Sequence, residues 1–233
     1  MFRLSIMILF TICSVSAVAQ DPLNVVDGKG KRQGAWRKLD SADRVIYEGR
    51  FKDGIPAGEF RYFYPDGKLK TISYVSNQGK RAVTTSYFPN GHKMAAGIYI
   101  NEKKDSTWQF FSESIGTIVS EESYQAGVVN GPSKVFYPDG KLSEMHYYKN
   151  GIKDGLWEQY YMDGKLKLRG AYKSGEKNGQ FKILDLSGHP MVEGRYNHGH
   201  QDGVWIYYSD KGAIAKKETY KNGELLTTES PDK

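Results

Sequence analysis

The chain has 233 residues, with 33 Lys and Arg against 27 Asp and Glu, so its formal net charge is only +6. A surplus this small is typical of a well-solvated surface, and we expect no nucleic-acid partner. The 17 Tyr, 10 Phe and 26 Gly favour strands and turns over helices. Beyond the N-terminus there is no apolar stretch long enough to span a membrane.

The N-terminal residues 1–20 have the pattern of a secretory signal peptide. Arg3 precedes an apolar run over residues 4–13, and the segment ends in the small residues Ala17-Val18-Ala19. We therefore expect cleavage before Gln20 or Asp21 and a periplasmic, outer-membrane-associated or secreted protein. The single cysteine, Cys13, lies within this segment, so the mature chain would have no disulfide.

A 24-residue repeat follows a short N-terminal extension over residues 21–33. It predicts eight tandem units over residues 34–223 and a C-terminal tail over residues 224–233. One extra residue between Phe111 and Gly116 shifts the phase once. The repeat is carried by glycine columns that include Gly131, Gly155, Gly179 and Gly203, and Gly140, Gly164, Gly188 and Gly212.

Each unit predicts a β-hairpin. Asx-Gly pairs such as Asp139-Gly140 and Asp163-Gly164 lie between aromatic and aliphatic residues, and they predict tight type I′ turns. A second glycine cluster, such as Lys149-Asn150-Gly151, predicts a looser turn into the next unit. The predicted fold is all-β: tandem β-hairpin repeats that form an elongated, twisted, single-layer antiparallel sheet. We expect a monomer about 75 Å long, at about 4.8 Å per strand.

Three columns of apolar and aromatic residues are predicted to stack between units and to supply the stability that no single hairpin has. The third column lapses at Thr84 and Ser133. The first column contains Leu39, Phe63, Tyr87, Phe111, Phe136, Tyr160, Leu184 and Tyr208. The second contains Phe51, Val75, Tyr99, Tyr124, Tyr148, Tyr172, Tyr196 and Tyr220. The third contains Trp36, Phe60, Trp108, Trp157, Phe181 and Trp205.

The combined G-x-W-x-x-Y-Y…D-G-K…Y-K-x-G pattern resembles the MORN repeat, in the bacterial variant found in YwqK-like antitoxin proteins. The resemblance runs from Gly34 to Gly223 and weakens in the third unit, where Ala82 and Thr84 replace the glycine and the aromatic residue. It implies an elongated β-sheet that contacts proteins or lipids and has no enzymatic activity of its own.

The sequence predicts no catalytic, cofactor-binding or metal-binding residues, and so no enzyme and no cofactor. His198 and His200 flank Gly199 at a predicted turn, without a third metal ligand nearby in sequence. Glu121, Glu122 and Asp53 lie on predicted water-facing or turn positions, where general acid–base catalysis lacks an apolar pocket. Gly-Lys pairs such as Gly30-Lys31 belong to no phosphate-binding motif.

Aromatic and basic residues alternate in the sixth unit. On a flat sheet such residues can grip sugars or single-stranded nucleic acid, but they can also serve only for stacking and solubility. The residues are Tyr160, Tyr161, Lys165, Lys167, Arg169 and Lys173. Export disfavours nucleic acid. The leading hypothesis is a non-catalytic, exported binding or scaffolding module for a protein or an envelope glycan or lipid. The alternative is an antitoxin-like protein that neutralises a partner toxin.

Overall fold

The structure is a computed structural model that describes residues 22–230, which form one open antiparallel sheet of 21 strands without a helix. The all-β repeat fold is therefore confirmed. The predicted signal peptide lies outside the described residues. The strands are β1 (Val25–Val26), β2 (Arg32–Leu39), β3 (Val45–Lys52), β4 (Ile55–Pro56), β5 (Gly58–Phe63), β6 (Leu69–Ser76), β7 (Arg81–Tyr87), β8 (Lys93–Ile100), β9 (Lys103–Phe111), β10 (Ile118–Gln125), β11 (Val128–Phe136), β12 (Leu142–Lys149), β13 (Ile152–Tyr160), β14 (Leu166–Lys173), β15 (Glu176–Lys177), β16 (Gly179–Leu184), β17 (Pro190–Asn197), β18 (His200–Gln201), β19 (Gly203–Tyr208), β20 (Ile214–Lys221) and β21 (Glu224–Glu229).

The strands follow one another as a meander, because each long strand pairs with the long strands before and after it in sequence. A bulge divides three of the long strands into a two-residue strand and a longer one. The divided strands are β4 and β5, β15 and β16, and β18 and β19. At the C-terminal edge, β21 pairs with β20, so the sheet continues into residues 224–229. Within residues 22–230 no helix is long and apolar enough to cross a membrane.

The type I′ prediction for the Asp-Gly turns is wrong. In residues 137–141 the N–H of Gly140 donates to Tyr137 O at 2.9 Å, and the N–H of Tyr137 donates to Lys141 O at 2.8 Å. Gly140 alone has a positive φ (85°), whereas Asp139 does not. This is a type I turn followed by a glycine bulge. Pro138 restricts the first loop residue to negative φ, and Asp139 accepts the N–H of Lys141 at 3.1 Å, which a type I′ turn would not allow.

The turns between units, predicted to be looser, are the two-residue type I′ turns. Asn150 and Gly151 have φ values of 51° and 82°, and the flanking residues Lys149 and Ile152 pair directly. Both central residues are thus in the left-handed region, the geometry that matches the twist of the flanking strands. The two turn types are exchanged relative to the prediction.

The third repeat departs from the plan because it lacks a bulge glycine. Most units place a positive-φ glycine such as Gly58 (76°) early in the first strand, where the register shifts. Ala82 occupies the equivalent position without a positive φ and pairs in unbroken register with Val75. Because this strand has no bulge, the turn before it is longer: residues 77–80 form a four-residue loop between the paired residues Ser76 and Arg81. A glycine missing from the sequence therefore changes both the turn and the strand.

Candidate functional site

One face of the sheet carries the second and third predicted columns, and we call it the aromatic face. Trp205, Trp108 and Phe60 are the most buried rings, at 2–3% exposed. The Trp205 ring lies 5.5 Å from that of Phe181 and 5.0 Å from that of Tyr196, measured between centroids. Rings of neighbouring units thus stack along the sheet, as the columns predict.

Glycines lie beneath these rings, and the predicted columns do not include them. A Cβ built on Gly49, Gly97 or Gly194 would approach a ring atom of Phe60, Trp108 or Trp205, respectively, to 2.3 Å. None of these glycines has a positive φ, so each provides space rather than an unusual backbone conformation. The signal was present in the sequence as the 24-residue spacing of Gly170 and Gly194.

The first predicted column does not join this stack. Tyr160 donates its hydroxyl to Glu158 at 2.6 Å, and Tyr208 donates to Glu193 at 2.9 Å. Burial, with the hydrogen bond to Glu158, raises the pKa of Tyr160 to about 12. Leu39 is 44% exposed. Tyr160 and Tyr208 are thus anchored to carboxylates, and Leu39 is open to solvent.

The alternating aromatic and basic residues of the sixth unit do not form a joint open platform. Arg169 forms an ion pair at 2.6 Å with Glu158, which is only 4% exposed. Tyr161 donates to the backbone of the next unit, its hydroxyl lying 2.8 Å from Leu184 O. Lys165 likewise donates to Leu186 O at 2.8 Å. Each of these contacts holds the sheet together. This favours the interpretation that these residues serve for stacking and solubility.

The row of rings is interrupted in the third repeat. Where other units place a ring above a glycine, this unit places Thr84 opposite Ser73. Their hydroxyl oxygens lie 2.8 Å apart, and the residues are 6% and 9% exposed. Ring contacts on the N-terminal side end at Phe60 and Tyr62, and they resume at Tyr99. The missing ring leaves a depression in the aromatic face.

This depression, which we call the trough, has a volume of about 530 Å³. Its floor is the neighbouring strands β6 and β7, where Thr71 and Ser86 form a second hydroxyl pair at 3.1 Å. Its aromatic walls include Tyr62 on β5 and Tyr99 on β8, three strand spacings or about 14 Å apart. The charged residues Lys70, Lys80 and Glu102 also line it.

The floor of the trough retains hydrogen-bonding capacity. Two hydroxyls together have two protons and four lone pairs, and one mutual bond uses one of each. After this mutual bond, each of the pairs Ser73–Thr84 and Thr71–Ser86 keeps one donor and three acceptor positions. The floor also includes the apolar pair Val75 and Ala82 beside these hydroxyls. A floor with hydroxyl pairs between aromatic walls is suited to a ligand that has both hydroxyl groups and apolar faces.

The second interruption, at Ser133, is occupied by larger polar side chains. Glu144 accepts hydrogen bonds from Trp157 Nε1 at 2.9 Å and from Gln159 Nε2 at 3.0 Å. The His146 ring stacks on that of Trp157, with centroids 5.9 Å apart and an interplanar angle of 10°. Burial, and next the charge of Lys153, lowers the pKa of His146 below its usual value. Only the interruption at Thr84 is thus bridged by small side chains alone.

The other polar residues considered at the sequence level are not brought together. His198 is 81% exposed in its side chain and lies 3.4 Å from Glu176 at a turn. Glu121 accepts from Gln109 Nε2 at 2.8 Å, and Asp53 accepts from Gln33 Nε2 at 3.1 Å. Within the described residues no group of three or more His, Cys, Asp or Glu is arranged to hold a metal ion.

Four segments of the chain match the family model described as the MORN repeat variant, namely residues 57–77, 129–150, 153–174 and 201–222. The predicted MORN resemblance is confirmed for these repeats, and the YwqK-like assignment stays a prediction. The third repeat, which supplies β7 of the trough floor, is not among the matched segments, whereas β6 lies within the matched residues 57–77. No curated protein is similar enough in sequence to count as a relative.

Similar solved structures resemble the chain only weakly. A TarM crystal structure is 16% identical over 40% of this chain and 20% of its own, with a TM-score of 0.30. An S. aureus TarM mutant in complex with Fondaparinux, alpha-GlcNAc-glycerol and UDP is 12% identical over 52% of this chain and 21% of its own, with a TM-score of 0.32. TcdB2-TccC3-Cdc42 is 8% identical over 83% of this chain and 13% of its own, with a TM-score of 0.23. The chain thus spans about a fifth or less of these proteins, and TM-scores this low do not establish a shared fold.

Proposed function

We propose that this chain is an exported, non-catalytic binding module whose aromatic face holds a component of the cell envelope. The observation that carries the proposal is the trough at Ser73 and Thr84, where an interruption in the row of rings is left as an open depression. Its volume of about 530 Å³ lies in the usual range for ligand sites.

The repeat architecture supports binding rather than chemistry. A stacked array offers an extended surface whose shape is fixed by nearest-neighbour contacts, as in other repeat proteins that bind partners. The hydroxyls of Ser73 and Thr84 are hydrogen-bonded to each other, and neither is a side chain that acts as a general base. A hydroxyl needs such a base to act as a nucleophile, so the trough is proposed to bind without reacting.

Co-sedimentation with isolated cell envelopes tests this function. The full chain, processed and purified from cells that express it, should pellet with the envelope fraction in a saturable manner. The double variant Ser73→Gly/Thr84→Trp fills the trough with the Gly–Trp pair found at Gly97 and Trp108, and it should pellet less. A wild-type chain that stays in the supernatant would contradict the proposal.

A further inference from the structure

We infer that the trough is a site for an acidic oligosaccharide, an inference that rests on the proposed function and names its ligand class. Three properties of the trough carry it: the polar floor, the aromatic walls and the charge at its rim. The floor argues against a lipid chain, the walls suit a ring with an apolar face, and the rim favours an anionic ligand.

The floor argues against a lipid chain. Ser73, Thr84, Thr71 and Ser86 present two hydroxyl pairs at the bottom of the trough. An acyl chain would cover the remaining donors and acceptors without replacing their hydrogen bonds to water, which is unfavourable for each buried polar group. The hydroxyls of a sugar can replace those bonds.

The walls suit a ring that has an apolar face. Tyr62 is 38% exposed, and the centroid of its ring lies 6.4 Å from that of Phe60 and 5.8 Å from that of Tyr47. Tyr99 on the opposite wall is held edge-on against Trp108 at 4.8 Å. Both wall residues are thus fixed by their own aromatic neighbours before any ligand arrives. The C–H face of a pyranose can pack on such rings while its hydroxyls reach the floor, as on the flat aromatic surfaces that bind planar ligands.

The rim supplies charge complementarity for an anionic sugar. Lys70, whose Nζ also lies 5.6 Å from the centroid of the Tyr64 ring, and Lys80 line the trough together with the single carboxylate Glu102. Between Trp36 and Phe110, the strand positions on the aromatic face hold no Asp or Glu. The local charge is therefore positive, which favours a uronate, sulfate or phosphate substituent. Single-stranded nucleic acid is disfavoured, because a backbone-tracking groove needs a longer row of cations than two lysines.

Isothermal titration calorimetry on the full, processed chain tests the inference. The probes are tetragalacturonate and a hyaluronan tetrasaccharide, with maltotetraose as the neutral sugar and a deoxythymidine octamer as the nucleic acid. We expect saturable binding of at least one acidic probe, weakened at least about tenfold by Ser73→Gly/Thr84→Trp. Lys70→Gln/Lys80→Gln should weaken the same probe but leave any maltotetraose binding unchanged.

The matched control makes the same two replacements at the second interruption, as Glu122→Gly/Ser133→Trp. It introduces a Gly–Trp pair on the neighbouring strands β10 and β11, between the fourth and fifth repeats and away from the trough, and should bind the acidic probe like the wild type. Circular dichroism confirms that all variants retain the sheet. The inference is overturned if neither acidic probe binds, if the trough-filling variant binds normally, if the control loses binding equally, or if the octamer binds more tightly than both acidic sugars.

The two proposals fail in distinguishable ways. If the wild-type chain does not pellet with envelopes, the proposed function fails. If it pellets through the trough but neither acidic probe binds or competes, the function stands and the ligand class is wrong.

Discussion

The indole of Trp205 lies directly against the backbone of Gly194, so that a Cβ on Gly194 would come within 2.3 Å of the Trp205 ring carbon Cδ2. Gly194 lies on β17 and Trp205 on β19, the paired strand of the next unit. This contact therefore joins one repeat to the next. Since Trp205 is only 2% exposed, the ring has no open side toward which it could move.

Gly194→Ala should destabilise the chain by about 1–3 kcal/mol, the usual cost of overpacking a core. The backbone of Gly194 does not require a positive φ, so the effect would come from the ring contact alone. Urea unfolding followed by tryptophan fluorescence measures it. The control is Gly170→Ala, whose Cβ would lie 3.2 Å from Trp157 and 3.3 Å from Phe181 and should cost less. Equal losses in both variants would show that steric fit to the ring is not what selects glycine.

Ala126→Asn should stabilise the chain by about 0.5–1 kcal/mol. Ala126 is the first residue of a type I′ turn with a φ of 50°, a conformation that Asn tolerates better than Ala. The increase would appear as a higher midpoint of urea unfolding. Met162→Asn is the control, because Met162 is 60% exposed at the first position of a type I loop without a positive φ, and it should stay within about 0.5 kcal/mol of the wild type. A gain in the control alone would contradict our turn assignment.

The turns show how far sequence could predict this fold. The period of 24 residues and the alternating apolar residues were sufficient to predict one meandering sheet. They could not assign the turn types, because Asp139-Gly140 and Asn150-Gly151 have the same Asx-Gly signature. What separates the two turns is Pro138 and the hydrogen bond from the N–H of Lys141 to Asp139. Local side-chain chemistry, rather than the dipeptide, decides the backbone.

The trough could be predicted only in part. The lapses at Thr84 and Ser133 are visible in the sequence and appear equivalent there. Their different outcomes depend on cross-strand neighbours, which become known only with the register: Thr84 faces Ser73, whereas Ser133 faces Glu122 and His146. Large polar side chains occupy one interruption and small ones leave the other open.

The stability of the chain should fall as the pH is lowered from about 7.5 to about 5, because of His146. In the fold, burial and then the charge of Lys153 lower the pKa of His146 below 6.5. Its side chain is 13% exposed and stacks on Trp157. The unfolded chain therefore binds a proton at a higher pH than the folded chain, and stability is lost as the pH falls through 6.5 toward the folded pKa.

His146→Gln, which cannot take up a proton, should lose less stability over this pH range, as measured by urea unfolding at each pH. Carboxylates such as Asp139 and Asp163 do not account for the effect. Their pKa values are lowered from 3.8, chiefly by backbone hydrogen bonds, so their contribution is lost only at a lower pH. An identical pH dependence in the variant and the wild type would rule out His146 as the group responsible.

The mature chain should begin at Gln20 or Asp21. Arg3, the apolar residues 4–13 and Ala17-Val18-Ala19 together predict cleavage by a signal peptidase. The sequence Asp21-Pro22 likewise predicts an extended start, because a residue before proline avoids helical geometry. N-terminal sequencing of the protein from fractionated cells measures this directly, with a variant that carries Leu-to-Arg replacements in residues 4–13 as an uncleaved control. An exported chain could not neutralise a cytoplasmic toxin, so cleavage would favour the binding module. An intact Met1 in the cytosolic fraction would instead make toxin neutralisation the leading hypothesis, and the envelope would no longer be the place to look for the ligand of the trough.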